Sequence, residues 1–264
     1  MNNPLTGGPI LFAPARAGRP HAFLDDASNG RCPFCPGHES DTPPELARLG
    51  EPWRVRVFPN KYPPSNGAEV IVESPLHDAR FEQLEPLDEV LQMYVDRLRG
   101  HADAPYTALF RNDGVRAGSS IPHVHAQLVP LPFVPPRVRR EIDASAQRCV
   151  LCNIDGEVIR ENEAFAWLAP ERPWMPYQQW IVPKRHIASL IDADLAALAP
   201  MLRFASAATR KLGDFNVVFM NFPRGHFYIE ILPRITNLAG LELGTGTFVE
   251  IVDAATAADR LKPE

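Results

Sequence analysis

Two histidines two positions apart, His123 and His125, lie in the sequence Ile-Pro-His-Val-His-Ala-Gln at residues 121–127. On a β-strand, alternate side chains point to the same face, so both imidazoles can share one pocket. Many such pairs are simply surface histidines, but an imidazole can also act as a nucleophile or a metal ligand. The tripeptide Gly-Ser-Ser at 118–120 precedes the pair and offers backbone N–H groups and hydroxyls to a phosphate. The pattern therefore indicates phosphate chemistry beside an imidazole nucleophile.

The four cysteines form two CxxC pairs, Cys32 with Cys35 and Cys149 with Cys152. In a cytosolic chain such pairs indicate metal thiolates or a redox dithiol, and disulfides are not expected. A redox motif of the thioredoxin type lies between a strand and a helix, whereas the Pro-Gly at 36–37 favours a turn. Metal binding is the interpretation that fits this turn.

The two halves of the chain repeat the same landmarks in the same order, which indicates a gene-duplicated, two-lobe architecture. The matches are Cys32/Cys35 with Cys149/Cys152, the apolar run ending at His77 with that ending at His186, Asn112 with Asn221, and His123-Val-His125 with His226-Phe-Tyr228. We assign residues 1–140 to an N-terminal repeat and residues 141–264 to a C-terminal repeat.

Each repeat offers two thiolates and two imidazoles, the donor set of a closed, structural zinc site. The predicted ligands are Cys32, Cys35, His77 and His123 in the first repeat, and Cys149, Cys152, His186 and His226 in the second. Iron is the alternative metal at one site. An alternative for His77 and His186 is that they are ordinary capping or surface histidines.

If His123 binds the metal, His125 remains beside it for chemistry. The second repeat has Tyr228 in place of His125 and Glu230 in place of Gln127, and it lacks the Gly-Ser-Ser segment. The first repeat is therefore predicted to be the catalytic one. A neutral imidazole can attack a phosphorus atom and be displaced again. The predicted phosphate-binding groups around it are Gly118, Ser119, Ser120, Gln127 and Arg116.

The elements that position these residues follow from hydrophobic periodicity. Predicted strands span 54–58, 68–73, 106–111, 124–129, 164–168, 177–182, 215–220, 226–232 and 247–252. Leucines and valines between Leu84 and Leu98 recur at helical spacing and predict an amphipathic helix. Its counterpart spans Asp194 to Leu212, with Pro200 expected to kink or interrupt it. The predicted class is α+β, with mostly antiparallel sheets and one main helix per repeat.

Composition excludes several classes of function. The 264-residue chain carries a formal net charge of −5, which argues against nucleic acid or a membrane surface as partner, since both require a basic face. No apolar run approaches the ~20 residues of a membrane span. Residues 1–20 are broken by proline and glycine and lack the apolar core of a signal peptide. We expect a cytoplasmic protein.

The segment from Asn112 to Gln127 resembles the active-site motif of the galactose-1-phosphate uridylyltransferase family, a two-repeat branch of the histidine-triad superfamily. That family has an Asn, a Gly, a Ser and a His-Pro-His-x-Gln in this register, and the resemblance covers nearly the whole chain. It implies that His125 forms a nucleotidyl-histidine, that Ser120 and Gln127 hold the phosphate, and that Asn112 hydrogen-bonds in the active site. It also implies that Asn60 touches the nucleoside.

The resemblance further implies a homodimer and a reaction between a nucleotide sugar and a sugar 1-phosphate or phosphate. Val124 departs from the family, which usually has proline there, but this side chain should face away from the chemistry. The segment 232–248 and the second metal set look more like the ADP-glucose phosphorylase branch. There are two alternatives. One is a histidine-triad hydrolase, with water as acceptor, and the other is a catalytically inactive nucleotide-binding protein that zinc stabilises.

Overall fold

Ten strands form one antiparallel sheet in this computed structural model, which describes residues 1–18 and 31–262. The strands are β1 (Ala47–Leu49), β2 (Val55–Pro59), β3 (Glu69–Val72), β4 (Tyr106–Asp113), β5 (His125–Leu131), β6 (Gly156–Glu161), β7 (Phe165–Pro170), β8 (Gln179–Pro183), β9 (Phe215–Met220) and β10 (Tyr228–Pro233). Their order across the sheet is β1-β2-β3-β5-β4-β9-β10-β8-β7-β6. The predicted α+β class with antiparallel strands is confirmed.

The two repeats meet in the middle of this sheet. Strand β4 of the first pairs with β9 of the second, so that Leu109 faces Phe219 and Asn112 faces Asn216. Outward from this junction, β5-β3-β2-β1 on one side correspond to β10-β8-β7-β6 on the other. Strands β5 and β10, which carry the sequence-predicted active-site pattern and its degenerate copy, therefore occupy equivalent places in the sheet.

Five α-helices accompany the sheet in the part of the chain that the structure describes. They are α1 (Leu87–Gly100), α2 (Pro136–Ala144), α3 (Leu195–Arg210), α4 (Gly240–Thr245) and α5 (Ala254–Leu261). Helices α1 and α3 are the two long ones predicted, and α3 continues without interruption through Pro200. Among the described helices, each is too short or too polar to span a bilayer.

The two faces of the sheet differ in what they carry. Alternate residues of β5, Ala126 and Leu128, join Val124 in the main apolar core together with residues of α1 and α3. By the strand's alternation, His125 and Gln127 lie on the opposite, front face. The helix layer thus supports the sheet from behind and leaves the front face to the candidate site.

One predicted strand does not form, and the two edge strands of the sheet were not predicted. The strand predicted at 247–252 is an irregular segment with exposed Phe248, Val249 and Ile251. Strands β1 and β6 were missed because edge strands need bury only part of their side chains, and both carry charged, exposed residues. Periodicity detects burial, so it fails where burial is partial.

Candidate active site and metal centres

Cys32, Cys35, His77 and His123 come together at one end of β5, with one donor atom from each within 4.8 Å of the others. The His123 Nδ1 atom lies 3.6 Å from Cys32 Sγ and 3.7 Å from Cys35 Sγ. His77 Nδ1 lies 3.4 Å from Cys35 Sγ. Sulfur and nitrogen ligands of one tetrahedral zinc ion are about 3.5 Å apart. The four residues therefore fit a metal site.

The surroundings of this cluster prepare its donors for a cation. His123 is fully buried and its Nε2 donates to the Ser74 carbonyl at 2.7 Å, which leaves the Nδ1 lone pair directed at the sulfurs. Burial lowers the pKa of His123, so the ring stays neutral. Burial also raises the pKa of Cys32 to about 11, and a bound metal is what converts such a thiol to the ligating thiolate.

The second repeat builds the same cluster from Cys149, Cys152, His186 and His226. The sulfurs of Cys149 and Cys152 each lie 3.4 Å from His226 Nδ1, and Cys152 Sγ lies 3.3 Å from His186 Nδ1. His226 Nε2 donates to the Pro183 carbonyl at 2.9 Å, which repeats the orientation found at His123. The eight predicted ligands thus form two separate clusters as expected.

His125 is the first residue of β5 and is buried, with only 6% of its surface exposed. Its Nδ1 lies 2.8 Å from the His123 carbonyl oxygen, which accepts and therefore fixes the proton on Nδ1. In the neutral ring the lone pair then resides on Nε2, the nucleophilic nitrogen. Phe34, within the first CxxC pair, packs its ring edge-on against His125 at 5.3 Å between centroids. The metal loop thus contacts the imidazole directly.

One cavity is lined by this imidazole, and a second adjoins it at Asn112. The first, of about 270 Å³, is lined by His125, Ser119 and Asn112, and the second, of about 320 Å³, by Asn112, Gln127 and Arg16. Asn112 borders both, so the predicted nucleophile, amide donor and asparagine surround one region of the front face. Asn112 Oδ1 accepts from Asn216 Nδ2 at 2.8 Å, and this contact fixes the Asn112 side chain across the junction of the repeats.

The Gly-Ser-Ser segment forms a tight turn beside the imidazole. Gly118 has φ +86°, a left-handed conformation that favours glycine, and its N–H donates to the Val115 carbonyl. Ser119 and Ser120 are both buried, and Ser119 Oγ donates to the Ile121 carbonyl at 2.8 Å. The turn is therefore rigid, as a phosphate-binding loop needs to be.

Two predicted binding residues lie apart from this group. Arg116 is exposed, and its guanidinium donates to the Ile235 carbonyl at 3.4 Å; it lines neither of these two cavities. Asn60 follows β2, and its Oδ1 accepts from Tyr62 N–H at 2.9 Å, so its carboxamide oxygen stabilises a turn. These contacts direct both side chains to groups other than His125.

The structure adds charged residues that sequence reasoning missed. Asp113 and Arg210 line the His125 cavity and form a two-pronged ion pair at 2.9 and 2.8 Å. Burial opposes ionisation of Asp113, but the bonds from Arg210 and the charge of Arg111 outweigh it and hold its pKa below the usual value. Asp113 could have been predicted, because it follows the candidate residue Asn112 directly. Arg210 could not, because it lies in α3 of the other repeat and no motif surrounds it.

The equivalent position in the second repeat is occupied by a different network. Tyr228 replaces the imidazole and donates to Glu141 Oε2 at 2.9 Å. Glu230, fully buried in place of Gln127, accepts from Arg137 at 2.9 Å and from Gln178 at 2.6 Å. Burial raises the pKa of Tyr228 far above its usual value, so its hydroxyl stays protonated. This half has no comparable nucleophile on β10.

Comparison with known proteins finds relatives over nearly the full chain, although no family model matches. An ADP-glucose phosphorylase from Arabidopsis thaliana is 28% identical over 95% of this chain and 88% of its own length. A galactose-1-phosphate uridylyltransferase from Thermotoga maritima is 27% identical over 98% of this chain and 96% of its own length.

Solved structures give the same result for the fold. The Arabidopsis thaliana ADP-glucose phosphorylase with bound ADP-glucose has a TM-score of 0.81 and 27% identity, covering 99% of this chain and 97% of that one. A uridylyltransferase mutant has a TM-score of 0.84 and 27% identity, covering 99% of this chain and 96% of that one. The similarity therefore extends over both halves of the chain.

Proposed function

We propose that this chain, a homologue of the galactose-1-phosphate uridylyltransferases and of ADP-glucose phosphorylase, is a nucleotidyltransferase that works by double displacement. Its substrates are a nucleotide diphosphate sugar and an acceptor, either a sugar 1-phosphate or inorganic phosphate. The observation that carries this proposal is the tautomer of His125, whose Nδ1 is committed to the His123 carbonyl at 2.8 Å. That contact directs the lone pair of Nε2 toward a substrate.

In the first step, Nε2 of His125 attacks the α-phosphorus of the nucleotide sugar. The N–P bond forms as the bond from that phosphorus to the bridging oxygen breaks, and the sugar 1-phosphate leaves with the electron pair. In the second step, a phosphate oxygen of the acceptor attacks the same phosphorus, and the N–P bond returns its electrons to Nε2. The ring is positively charged in between, and the His123 carbonyl stabilises that charge through Nδ1–H.

The neighbouring groups suit the phosphate in both steps. Gln127 lies two residues along the same strand face, and its amide N–H can donate to a non-bridging oxygen. In the turn at 118–120, Ser119 lines the cavity beside His125, and we assign it to phosphate binding together with its neighbours Gly118 and Ser120. We assign Asn112 to substrate binding because it borders both cavities, and Asn60 and Arg116 to outer contacts with the nucleotide sugar.

We assign zinc to both cysteine–histidine clusters, because a Cys₂His₂ set leaves no open coordination position and binds zinc structurally. Bound zinc would supply rigidity: it would fix the loop that carries Phe34 against His125 and orient His123, whose carbonyl holds the reacting ring. Iron at one cluster is the alternative. We further propose a cytoplasmic homodimer, with residues 1–140 as the catalytic repeat and 141–264 as the degenerate one.

Isotope exchange between the nucleotide sugar and its sugar 1-phosphate tests the double displacement. The enzyme is incubated with one nucleotide sugar and radiolabelled glucose 1-phosphate, and no other acceptor is present. Label should enter the nucleotide sugar for at least one of UDP-, ADP- and GDP-glucose. His125→Ala should abolish this exchange, whereas the matched control His101→Gln, at the end of α1, should retain it.

Two results would redirect the assignment. Release of nucleoside monophosphate when water is the only acceptor, without exchange, would identify a hydrolase instead. Exchange that persists undiminished in His125→Ala would remove His125 from the mechanism.

A further inference from the structure

A cavity of about 530 Å³ lies in front of β10, in the repeat that lacks the nucleophile. It is larger than the cavity of about 270 Å³ beside His125, and its size is in the range of small-molecule sites. By the correspondence of the strands it occupies, in the second repeat, the place of the candidate active site in the first. The proposed nucleotidyl transfer does not use it.

The walls of this cavity are aromatic. Its lining includes Trp174, Trp180, Phe222, Tyr228 and Phe248. Trp180 and Tyr228 meet edge-to-face at 5.6 Å between ring centroids, as do Trp174 and Phe248 at 5.3 Å. A cavity walled by indole and phenyl rings favours a flat, aromatic ligand, since stacking on such rings tolerates any planar base.

Two buried polar atoms of the lining lack a hydrogen-bonding partner among the described residues. One is the Trp180 Nε1–H, a donor, and the other is Glu230 Oε2, an acceptor. Glu230 Oε2 lies 2.8 Å from Arg137 Nη2 but accepts no well-directed hydrogen bond, because Nη2 donates to Glu230 Oε1 and to the Tyr228 hydroxyl. Leaving buried polar groups unpaired is costly. A ligand that offers one acceptor and one donor on a planar ring would satisfy both, and a nucleobase edge has this composition.

The cavity is built for binding without reaction. The hydroxyl of Tyr228 donates to Glu141 Oε2 at 2.9 Å, so no nucleophile replaces His125. The charge of Glu230 is compensated by Arg137. Arg140 also lines the cavity, is exposed, and forms no ion pair with the residues that the structure describes. Its guanidinium can meet a phosphate attached to the bound nucleoside.

We propose that the second repeat holds a non-catalytic nucleoside-binding site, in which the base packs against Trp174 and Phe248 and pairs with Trp180 Nε1 and Glu230. Nucleoside monophosphates bind more tightly than nucleosides because of Arg140. This site is independent of the proposed transferase chemistry, and its occupancy does not depend on His125.

Isothermal titration with AMP and with UMP tests the proposal on the intact chain. We expect two classes of site per chain for at least one nucleotide. Trp180→Phe, which keeps a smaller aromatic ring but removes the N–H donor, should weaken one class of site at least tenfold, while the labelling of His125 and the affinity of the other class stay unchanged.

A second pair of variants keeps the test valid if Trp180→Phe impairs folding. Arg140→Ala should weaken the same class for AMP or UMP and leave the free nucleoside unaffected, whereas Arg139→Ala, on the same helix but outside the cavity lining, should change neither. A single class of site in the wild type would overturn the proposal. So would two classes whose affinities are unchanged by both Trp180→Phe and Arg140→Ala. A change of sedimentation mass in these variants without any nucleotide effect would identify a protein interface and overturn it as well.

Discussion

The buried ion pair between Glu73 and Arg111 lies directly behind the candidate nucleophile, and its loss is predicted to be severe. Their side chains are 0% and 2% exposed and approach to 2.9 Å. Tyr94 donates its hydroxyl to the same carboxylate, and the guanidinium lies 3.8 Å from the Phe81 ring centre. The Glu73 N–H donates to the Val124 carbonyl, next to His125. The pair therefore links the helix layer to the strand that carries the imidazole.

Arg111→Met leaves this carboxylate buried without its counter-ion. We expect the free energy of unfolding at pH 7 to fall by about 3–5 kcal/mol, the usual loss when one partner of a buried pair is removed. Burial already raises the pKa of Glu73, so in the variant the folded protein should retain the proton that the unfolded chain releases. Stability of the variant should then increase as the pH falls from 7 toward 5.

Urea unfolding of four proteins tests this reasoning: the wild type, Arg111→Met, Glu73→Gln and the double variant. The double variant should recover most of the loss, because no uncompensated charge remains. As the matched control, Arg99→Met removes an exposed pair with Asp96, whose side chains are 55% and 54% exposed, and should cost less than about 1 kcal/mol. A loss below 1 kcal/mol in Arg111→Met, or a double variant no more stable than the single one, would refute the account.

Two further predictions concern the metal clusters and the pH dependence of stability. Cys152→Ser should reduce the metal content measured on the purified protein from two ions to one per chain and lower the melting temperature, while nucleotidylation of His125 persists; unchanged metal content would exclude the second site. The pKa of Asp113 is lower in the folded protein than its ordinary value of 3.8. Its pairing with Arg210 therefore stabilises the fold fully at pH values above 3.8, and this stabilisation is lost as the pH falls through the lower pKa of the folded state. Arg210→Met should therefore lower the free energy of unfolding at pH 7 by about 2 kcal/mol and make a smaller difference at pH 3, and equal losses at both pH values would contradict this sign.

The repeat was predictable from the sequence because its landmarks are discrete residue types. Cysteine pairs and histidines keep their identity in both halves while the surrounding sequence differs, so the sequence predicts both clusters. The central strands were also predictable, since β3 and β5 are buried and carry clear apolar runs. Edge strands such as β1 and β6 were not, because they bury too little to leave a period.

The environment of His125 was less predictable. The proton of the His125 ring lies on Nδ1 because this nitrogen donates to the His123 carbonyl. The position of a backbone carbonyl cannot be read from a pattern of residue types. Arg210 reaches the cavity from a helix of the other repeat, and such long-range placement depends on the pairing of β4 with β9. Arg116 was predicted from its nearness in sequence, yet the turn directs it to the Ile235 carbonyl.

The central claim is that His125 carries the nucleotide during turnover. Intact-mass measurement followed by peptide mapping, after brief incubation with UDP-, ADP- or GDP-glucose and rapid denaturation, tests it most directly. We predict a mass increase of one nucleoside monophosphate, located on the peptide that contains His125 and lost on addition of the sugar 1-phosphate. No adduct with any of the three, or an adduct on another residue that persists in His125→Ala, would contradict the account.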